Sequence, residues 1–333
     1  MEKVKVGVVG AGFFGENHAR VYSESLLAEL TAIVDVNAER ARYVAEKYRA
    51  RSWHTSVHEM LEKEEIDAVS VVTPEFHHKE PAVVAAEAGK HVLVEKPIAH
   101  TIEDATAIVD SARKNKIKLM VGYLLRFDPR YAEGKKQVDS GAIGDILSVW
   151  ARRATRILVP QRVAEWSHPL FYMSVHDIDL INWYVNSQVE RVYAEATMKM
   201  FKDKGMPDVI SALMRFKTGV TASLEVNWSR PVTWQYSLES RLHVSGTEGA
   251  VYVDVYDQGL NIFSETGHGC PDMIHWPIVH NRLIGDLKEE LNHFIECIIL
   301  DKKPLVTGED GMNSLKVALA IIDSLRTGDI VKP

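Results

Sequence analysis

Val4-Lys5-Val6-Gly7-Val8-Val9-Gly10-Ala11-Gly12-Phe13-Phe14-Gly15 decides the fold of the first third of the chain. Its first six residues read as a buried parallel strand, and the glycines that follow read as a tight turn into a helix. Gly10, Gly12 and Gly15 match G-x-G-x-x-G in the context where that pattern has a mechanism. The first glycine permits the turn, the second lets the backbone approach a pyrophosphate, and the third lets the helix pack on the strand.

The next strand, 30–35, ends on Asp35. A carboxylate there accepts hydrogen bonds from adenosine ribose hydroxyls and repels a 2′-phosphate, so NAD is expected rather than NADP. Arg40 and Arg42 on the following helix leave some use of NADP open. Asn37 is positioned to cap that helix, and Thr101 with Asp104 three residues on resembles a capping box for another. Short buried strands at 68–72, 91–94 and 118–121 complete an alternation of strands and helices, the pattern of a doubly wound parallel sheet.

Beyond residue 122 the period changes. Segments 146–156, 191–200, 208–217, 219–228 and 250–256 alternate apolar and polar positions. Turns at Lys217-Thr218-Gly219 and Thr247-Glu248-Gly249 fall between them. Helical patterns cover about 129–139, 174–186, 283–300 and 311–325. The expectation is an α/β Rossmann domain at 1–121, followed at 122–333 by an α+β domain with an open, mostly antiparallel sheet.

The chain has 333 residues and a formal net charge of -7, which argues against a surface for nucleic acid. Two cysteines give no disulfide framework, and no run near the start is long enough for a membrane span or flanked like a signal peptide. A cytoplasmic protein is expected. His268, Cys270, His275 and His280 match no standard zinc spacing, so no metal is expected. Arg152, Arg153, Arg156 and Arg162 could grip a diphosphate or simply be solvated surface. Trp228, Trp234 and Tyr236 could floor a sugar pocket or pack in the sheet.

Several further segments carry a resemblance. Gly15-Glu16-Asn17-His18 extends the glycine loop by x-x-H; Thr73-Pro74 is followed by His78; Glu95-Lys96-Pro97 follows a strand. With Arg126-Phe127-Asp128-Pro129 and Val175-His176-Asp177-Ile178-Asp179, they resemble the glucose–fructose oxidoreductase, inositol dehydrogenase and rhizopine-catabolism (Gfo/Idh/MocA) family over essentially the whole chain. The resemblance implies that Phe13, Phe14, Thr73, Pro74, His78, Glu95 and Lys96 join the glycines and Asp35 around the dinucleotide. It implies that Lys96 reaches the reacting hydroxyl, that Pro97 follows a cis bond, and that Glu95 is a structural partner. An ammonium at Lys96 suits an oxygen that gains negative charge as hydride leaves carbon.

His176 matches the family histidine and suits a general base. The inositol branch carries Asp-x-x-x-His, whereas this chain has Tyr172 in the place of the aspartate, and Asp179 could orient the histidine instead. Tyr123, Arg126, Arg152, Tyr172, Asp179 and Tyr236 are the implied substrate contacts. The expected activity is NAD-dependent hydride transfer at a ring CH–OH of a sugar, cyclic polyol or sugar derivative. The alternatives are a nucleotide-sugar 3-dehydrogenase, a redox-neutral glycosidase that retains NAD, and a non-catalytic NAD-binding protein. Family members form dimers or tetramers, so a homodimer or homotetramer through the second sheet is expected.

Overall fold

In the computed structural model, which describes residues 2–236, 238–265 and 267–333, the opening stretch forms strand β1 (Val4–Val9) and helix α1 (Phe13–Glu24). The alternation continues through β2 (Ala28–Val34), α2 (Ala38–Tyr48), β3 (Ser52–His54), α3 (Val57–Lys63), β4 (Ala68–Val71), α4 (Lys79–Glu87), β5 (His91–Glu95), α5 (Ile102–Lys114) and β6 (Leu119–Gly122). All pairings in this sheet are parallel, in the order β3-β2-β1-β4-β5-β6. That order reverses between β1 and β4, the place where doubly wound sheets receive ligands at their carboxyl ends.

Local chemistry explains where the helices start. Asn37 Oδ1 accepts the Arg40 amide at 3.0 Å, and Thr101 Oγ1 accepts that of Asp104 at 3.1 Å. Each cap stabilises its helix by about 1 kcal/mol. The central strands are buried on both faces: Val6, Val8, Val69, Val71, Val92, Leu93 and Val94 have essentially no exposed surface.

Contacts divide the chain into two units, Met1–Phe127 with Ile274–Leu315, and Asp128–Met273 with Lys316–Pro333. A linear split at residue 122 therefore does not describe the first unit. The reason is the helix Asp286–Ile299, whose Leu287, Leu291, Phe294 and Ile295 are fully buried and which packs on α1 and β1.

The second unit begins at Asp128, whose carboxylate accepts the Arg130 amide at 2.9 Å and caps α6 (Pro129–Asp139). A proline at the first helical position suits that start, since its missing N–H would have no intrahelical partner. Next come β7 (Ile146–Arg156), α7 (Leu158–Val163), a π-helical turn at Leu170–Ser174 and α8 (Val175–Val185). Strands β8 (Val189–Thr197), β9 (Val209–Phe216), β10 (Thr221–Arg230), β11 (Leu238–Gly246) and β12 (Ala250–Val255) complete a sheet of order β12-β11-β7-β10-β9-β8. Only β7 and β10 pair in parallel; the remaining pairings are antiparallel. The chain ends with α9 (Asp286–Ile299) and α10 (Gly308–Thr327).

This second sheet is one-sided. Ile210, Met214, Leu224, Val226 and Trp228 are buried, while Leu213, Tyr193 and Tyr252 on the alternate positions are exposed. Trp228 donates its Nε1–H to the Pro207 carbonyl at 2.7 Å, so the indole is a core group and not the floor of a pocket. Among the described residues, no helix is long and apolar enough to cross a membrane.

Candidate active site

Gly10 has φ of +101°, and a side chain there would meet the Val72 carbonyl at 2.6 Å. A Cβ at Gly15 would collide with the Gly10 carbonyl, whereas one at Gly12 would stand in open space. The three glycines thus do different work: a left-handed turn, an open approach to the backbone, and helix–loop packing. The first amides of α1 receive no side-chain cap, which is the arrangement that accepts an anion. An open glycine beside uncapped helix amides is the fit a pyrophosphate requires.

Asp35 follows β2 and holds the loop closed. Its Oδ2 accepts the Ala11 amide at 2.7 Å and its Oδ1 that of Asn37 at 2.9 Å. A carboxylate has about four acceptor positions, so two remain for ribose hydroxyls. Arg40 is committed elsewhere: its Nε donates to the Ala11 carbonyl at 2.6 Å and its guanidinium pairs with Glu16. Arg42 pairs with Glu46 on its own exposed helix face at 3.8 Å. Neither arginine is left as an uncompensated cation for a 2′-phosphate. Phe13 is 70% exposed, and its ring and that of Phe14 lie edge-on to Trp276 at 6.2 and 5.4 Å.

Lys96 follows β5, next to β4 in the sheet, with Thr73-Pro74 after β4. The Lys96–Pro97 bond is cis. Glu95 is buried; its Oε2 accepts the Lys96 amide at 3.2 Å and its Oε1 lies 3.2 Å from His18 Nε2. His18 Nδ1 in turn faces Ser70 Oγ at 2.8 Å. The x-x-H extension of the glycine loop therefore has a structural purpose that the sequence pattern alone does not disclose: it ties α1 to the strand that carries Lys96.

His78, expected beside the dinucleotide, is an interior group. Its Nδ1 lies 2.9 Å from the Pro97 carbonyl and its Nε2 2.8 Å from the Thr73 carbonyl, and burial pushes its pKa down. With both ring nitrogens on main-chain carbonyls, it clamps the loops after β4 and β5 together. Tyr123 and Arg126 are interior too; Arg126 Nη1 donates to the Leu305 carbonyl at 3.2 Å and Nη2 lies 3.6 Å from Asp310. Burial places both residues in the packing of the first unit, and these contacts anchor Arg126 there.

In the second unit, α8 starts where the π-helical turn ends. The turn carries Tyr172, and α8 carries His176 in its first turn, with each side chain partly exposed. Single π-turns inside helices recur at functional sites because they re-aim the side chains on either side. Asp177 points into the unit, where Arg153 grips it with Nε at 2.8 Å and Nη2 at 3.0 Å. Asp179 is buried. Tyr172 accepts a hydrogen bond from Arg162 Nη2 at 3.0 Å and meets the Trp166 ring edge-on at 6.1 Å. Tyr236 packs on Tyr256 at 5.4 Å.

The four arginines expected as a group do not act as one. Arg153 is pinned by Asp177, and Arg152 is paired with Glu225 and Glu239 at 3.2 Å each. Paired in this way, Arg152 is a cross-strand tie and not a diphosphate grip. Arg156 donates to the Gln235 carbonyl at 3.1 Å. Two histidines of the 268–280 segment are also held by protein groups: His268 Nε2 lies 3.0 Å from Asn261 Oδ1, and His275 Nδ1 2.7 Å from Asp286.

Known proteins agree with this geometry. Residues 4–123 match the oxidoreductase family with an NAD-binding Rossmann fold, and residues 131–252 match the GFO/IDH/MocA C-terminal domain. The chain is 29% identical over 332 residues to scyllo-inositol 2-dehydrogenase (NAD(+)) of Bacillus subtilis, covering 98% of this chain and 95% of the relative. It is 31% identical over 256 residues to inositol 2-dehydrogenase 1 of Saccharopolyspora erythraea, covering 74% of this chain and 73% of that one. In fold it resembles the scyllo-inositol dehydrogenase of Lactobacillus casei, solved with NAD(H) and scyllo-inositol, with a TM-score of 0.87 at 24% identity and 99% of each chain covered. The glycine loop, the cis peptide after Lys96 and these matches together place the chain in the GFO/IDH/MocA family of NAD-binding oxidoreductases.

Proposed function

We propose that this oxidoreductase oxidises a ring CH–OH of a cyclic polyol or sugar with NAD, or runs the reverse reduction, with Lys96 and His176 handling the hydroxyl proton. The observation that carries the reading is the arrangement after β1, β4 and β5. Three adjacent strands deliver the glycine loop, the Thr73-Pro74 turn and Lys96 to one edge of the sheet. The glycine loop and Asp35 would hold NAD, whose nicotinamide would supply the hydride acceptor.

The chain's own residues do the rest. Amides of the glycine loop and α1 hold the pyrophosphate, and the free acceptor positions of Asp35 take the ribose hydroxyls. Lys96 places a positive charge where the substrate oxygen becomes negative. The Glu95–His18 link and the His78 clamp hold the backbone on both sides of Lys96. His176 accepts the hydroxyl proton on an imidazole nitrogen in the oxidative direction and returns it in the reductive one.

The relatives' names favour inositols as the first compounds to test. The exposed face of the second sheet, with Tyr193, Leu213 and Tyr252, supports self-association into a dimer or tetramer. The test is NADH formation from a panel of inositols and sugars. Lys96→Ala and His176→Ala are each expected to lower kcat by about 10²–10⁴-fold. A His176→Ala enzyme with unchanged kcat and pH profile removes His176 from the mechanism.

A further inference from the structure

We infer that Glu16 is a specificity determinant for the dinucleotide: it neutralises Arg40 and Lys47, which without it form a site for a 2′-phosphate. The inference rests on the reading that Asp35 receives the adenosine ribose, and deepens it.

Arg40, Tyr43 and Lys47 fall at i, i+3 and i+7 of α2, so they share one face of that helix, and Arg42 lies round the helix from them. Glu16 stands in the first turn of α1 and meets this face with a single carboxylate. Its Oε2 accepts from Arg40 Nη2. Its Oε1 accepts from Lys47 Nζ at 2.7 Å and from the Tyr48 hydroxyl at 3.2 Å. The Tyr43 ring sits under both cations, 5.2 Å from the Arg40 guanidinium and 5.5 Å from Lys47 Nζ.

The main chain fixes Arg40 beside the ribose site. Arg40 Nε donates to the Ala11 carbonyl at 2.6 Å, and the Ala11 amide donates to Asp35 Oδ2 at 2.7 Å. One loop residue therefore joins the guanidinium to the carboxylate that receives the ribose hydroxyls. An arginine in that neighbourhood is what accommodates a 2′-phosphate in a Rossmann domain. Both cations are open to a ligand, since the Arg40 and Lys47 side chains are 35% and 44% exposed. Among the described residues, Arg40 Nη1 meets no acceptor, so the guanidinium fork keeps donors to offer.

Donors are thus in place, and what the site lacks is charge. Arg40 and Lys47 face the two carboxylates of Glu16 and Asp35, which leaves this edge neutral toward a phosphate. Glu16→Gln keeps the side-chain shape and one acceptor for Arg40, and returns uncompensated positive charge to the α2 face. A purely mechanical tie between α1 and α2 has a different signature. Loosening such a tie weakens every adenosine ligand alike, whereas a charge determinant acts on the 2′-phosphate alone.

The experiment uses the full-length protein and calorimetry with 2′,5′-ADP and 5′-ADP, the adenosine halves of NADP and NAD, so no turnover enters the reading. The parent is expected to prefer 5′-ADP. In Glu16→Gln the ratio of the two Kd values should move toward 2′,5′-ADP by about tenfold, and the gain should shrink as salt is raised. Adding Arg40→Gln to that variant should cancel most of the gain. Lys47→Gln, at the exposed end of the cluster, leaves more of the Glu16 charge uncompensated and should widen the preference for 5′-ADP by about threefold. Fluorescence titration with NADPH and NADH should follow the same order. An unmoved ratio in Glu16→Gln or Lys47→Gln, an equal loss of both ligands, or a gain that survives the removal of Arg40 overturns the proposal. A parent that binds neither fragment overturns the ribose reading with it, whereas both bound at an unmoved ratio overturns the role of Glu16 alone.

Discussion

Removing one partner of the Arg153–Asp177 pair exposes how the helix bearing His176 is held. Both side chains are about 95% or more buried, and the pair is bidentate at 2.8 and 3.0 Å. It links β7 directly to the residue after His176. Asp177→Ala leaves a guanidinium inside the unit with no counter-charge, and breaking a buried pair in this way costs about 3–5 kcal/mol. Against a domain stability of about 5–15 kcal/mol, that is a large fraction. Replacing both partners, as Arg153→Met with Asp177→Leu, removes the stranded charge and should recover most of the loss, because the pair's own desolvation cost disappears too. The assay is urea unfolding followed by circular dichroism for the parent, both single variants and the double, read as a double-mutant cycle. A loss under about 1 kcal/mol in Asp177→Ala, or a double variant no more stable than the weaker single, would falsify the claim that a buried charge pair fixes α8.

Two further outcomes follow from the geometry. Gly15→Ala puts a methyl group into the Gly10 carbonyl, so NAD affinity measured by fluorescence titration should fall by at least tenfold; unchanged affinity would contradict the assigned loop packing. Burial pushes His168 down to about 4, below its ordinary 6.5. The unfolded chain therefore takes up a proton on this ring first as pH falls. Its share of stability, on the order of 3 kcal/mol, is intact above about pH 6.5 and is lost progressively down to about pH 4. His168→Phe should flatten that limb in urea midpoints collected across pH, and an identical profile would show that another group sets it.

Much of the first unit was legible because its signals are local. The glycine loop, Asp35 and the buried strands each occupy a few consecutive residues, and Asn37 and Thr101 cap their helices by contacts three residues long. The turns at 217–219 and 247–249 were legible for the same reason. What escaped involves partners distant in sequence. Strand β11 carries only Leu238, Leu242 and Val244 as apolar residues; its Glu239 and Ser240 are buried because arginines and Tyr131 wait for them across the sheet. The π-helical turn before α8 has no sequence period of its own at five residues. His78 and Arg126 carried the polar character of site residues, and only the fold reveals that main-chain carbonyls consume it. Lys96 and His176 were marked by their motifs, while the ties behind them, His18 to Glu95 and Arg153 to Asp177, span too many residues for spacing to suggest.

The split composition of the first unit has a consequence for the chain as it is made. A ribosome delivers β1 to β6 early, ending at Gly122, but α9, which seals α1 and β1 with Leu287, Leu291 and Phe294, begins only at Asp286. At about 5–20 residues per second, that interval is on the order of ten seconds. Throughout it, the nascent nucleotide-binding sheet shows water the apolar flank that α9 will cover. Vectorial synthesis thus makes this flank, and not the catalytic edge, the place where a chaperone has most reason to bind.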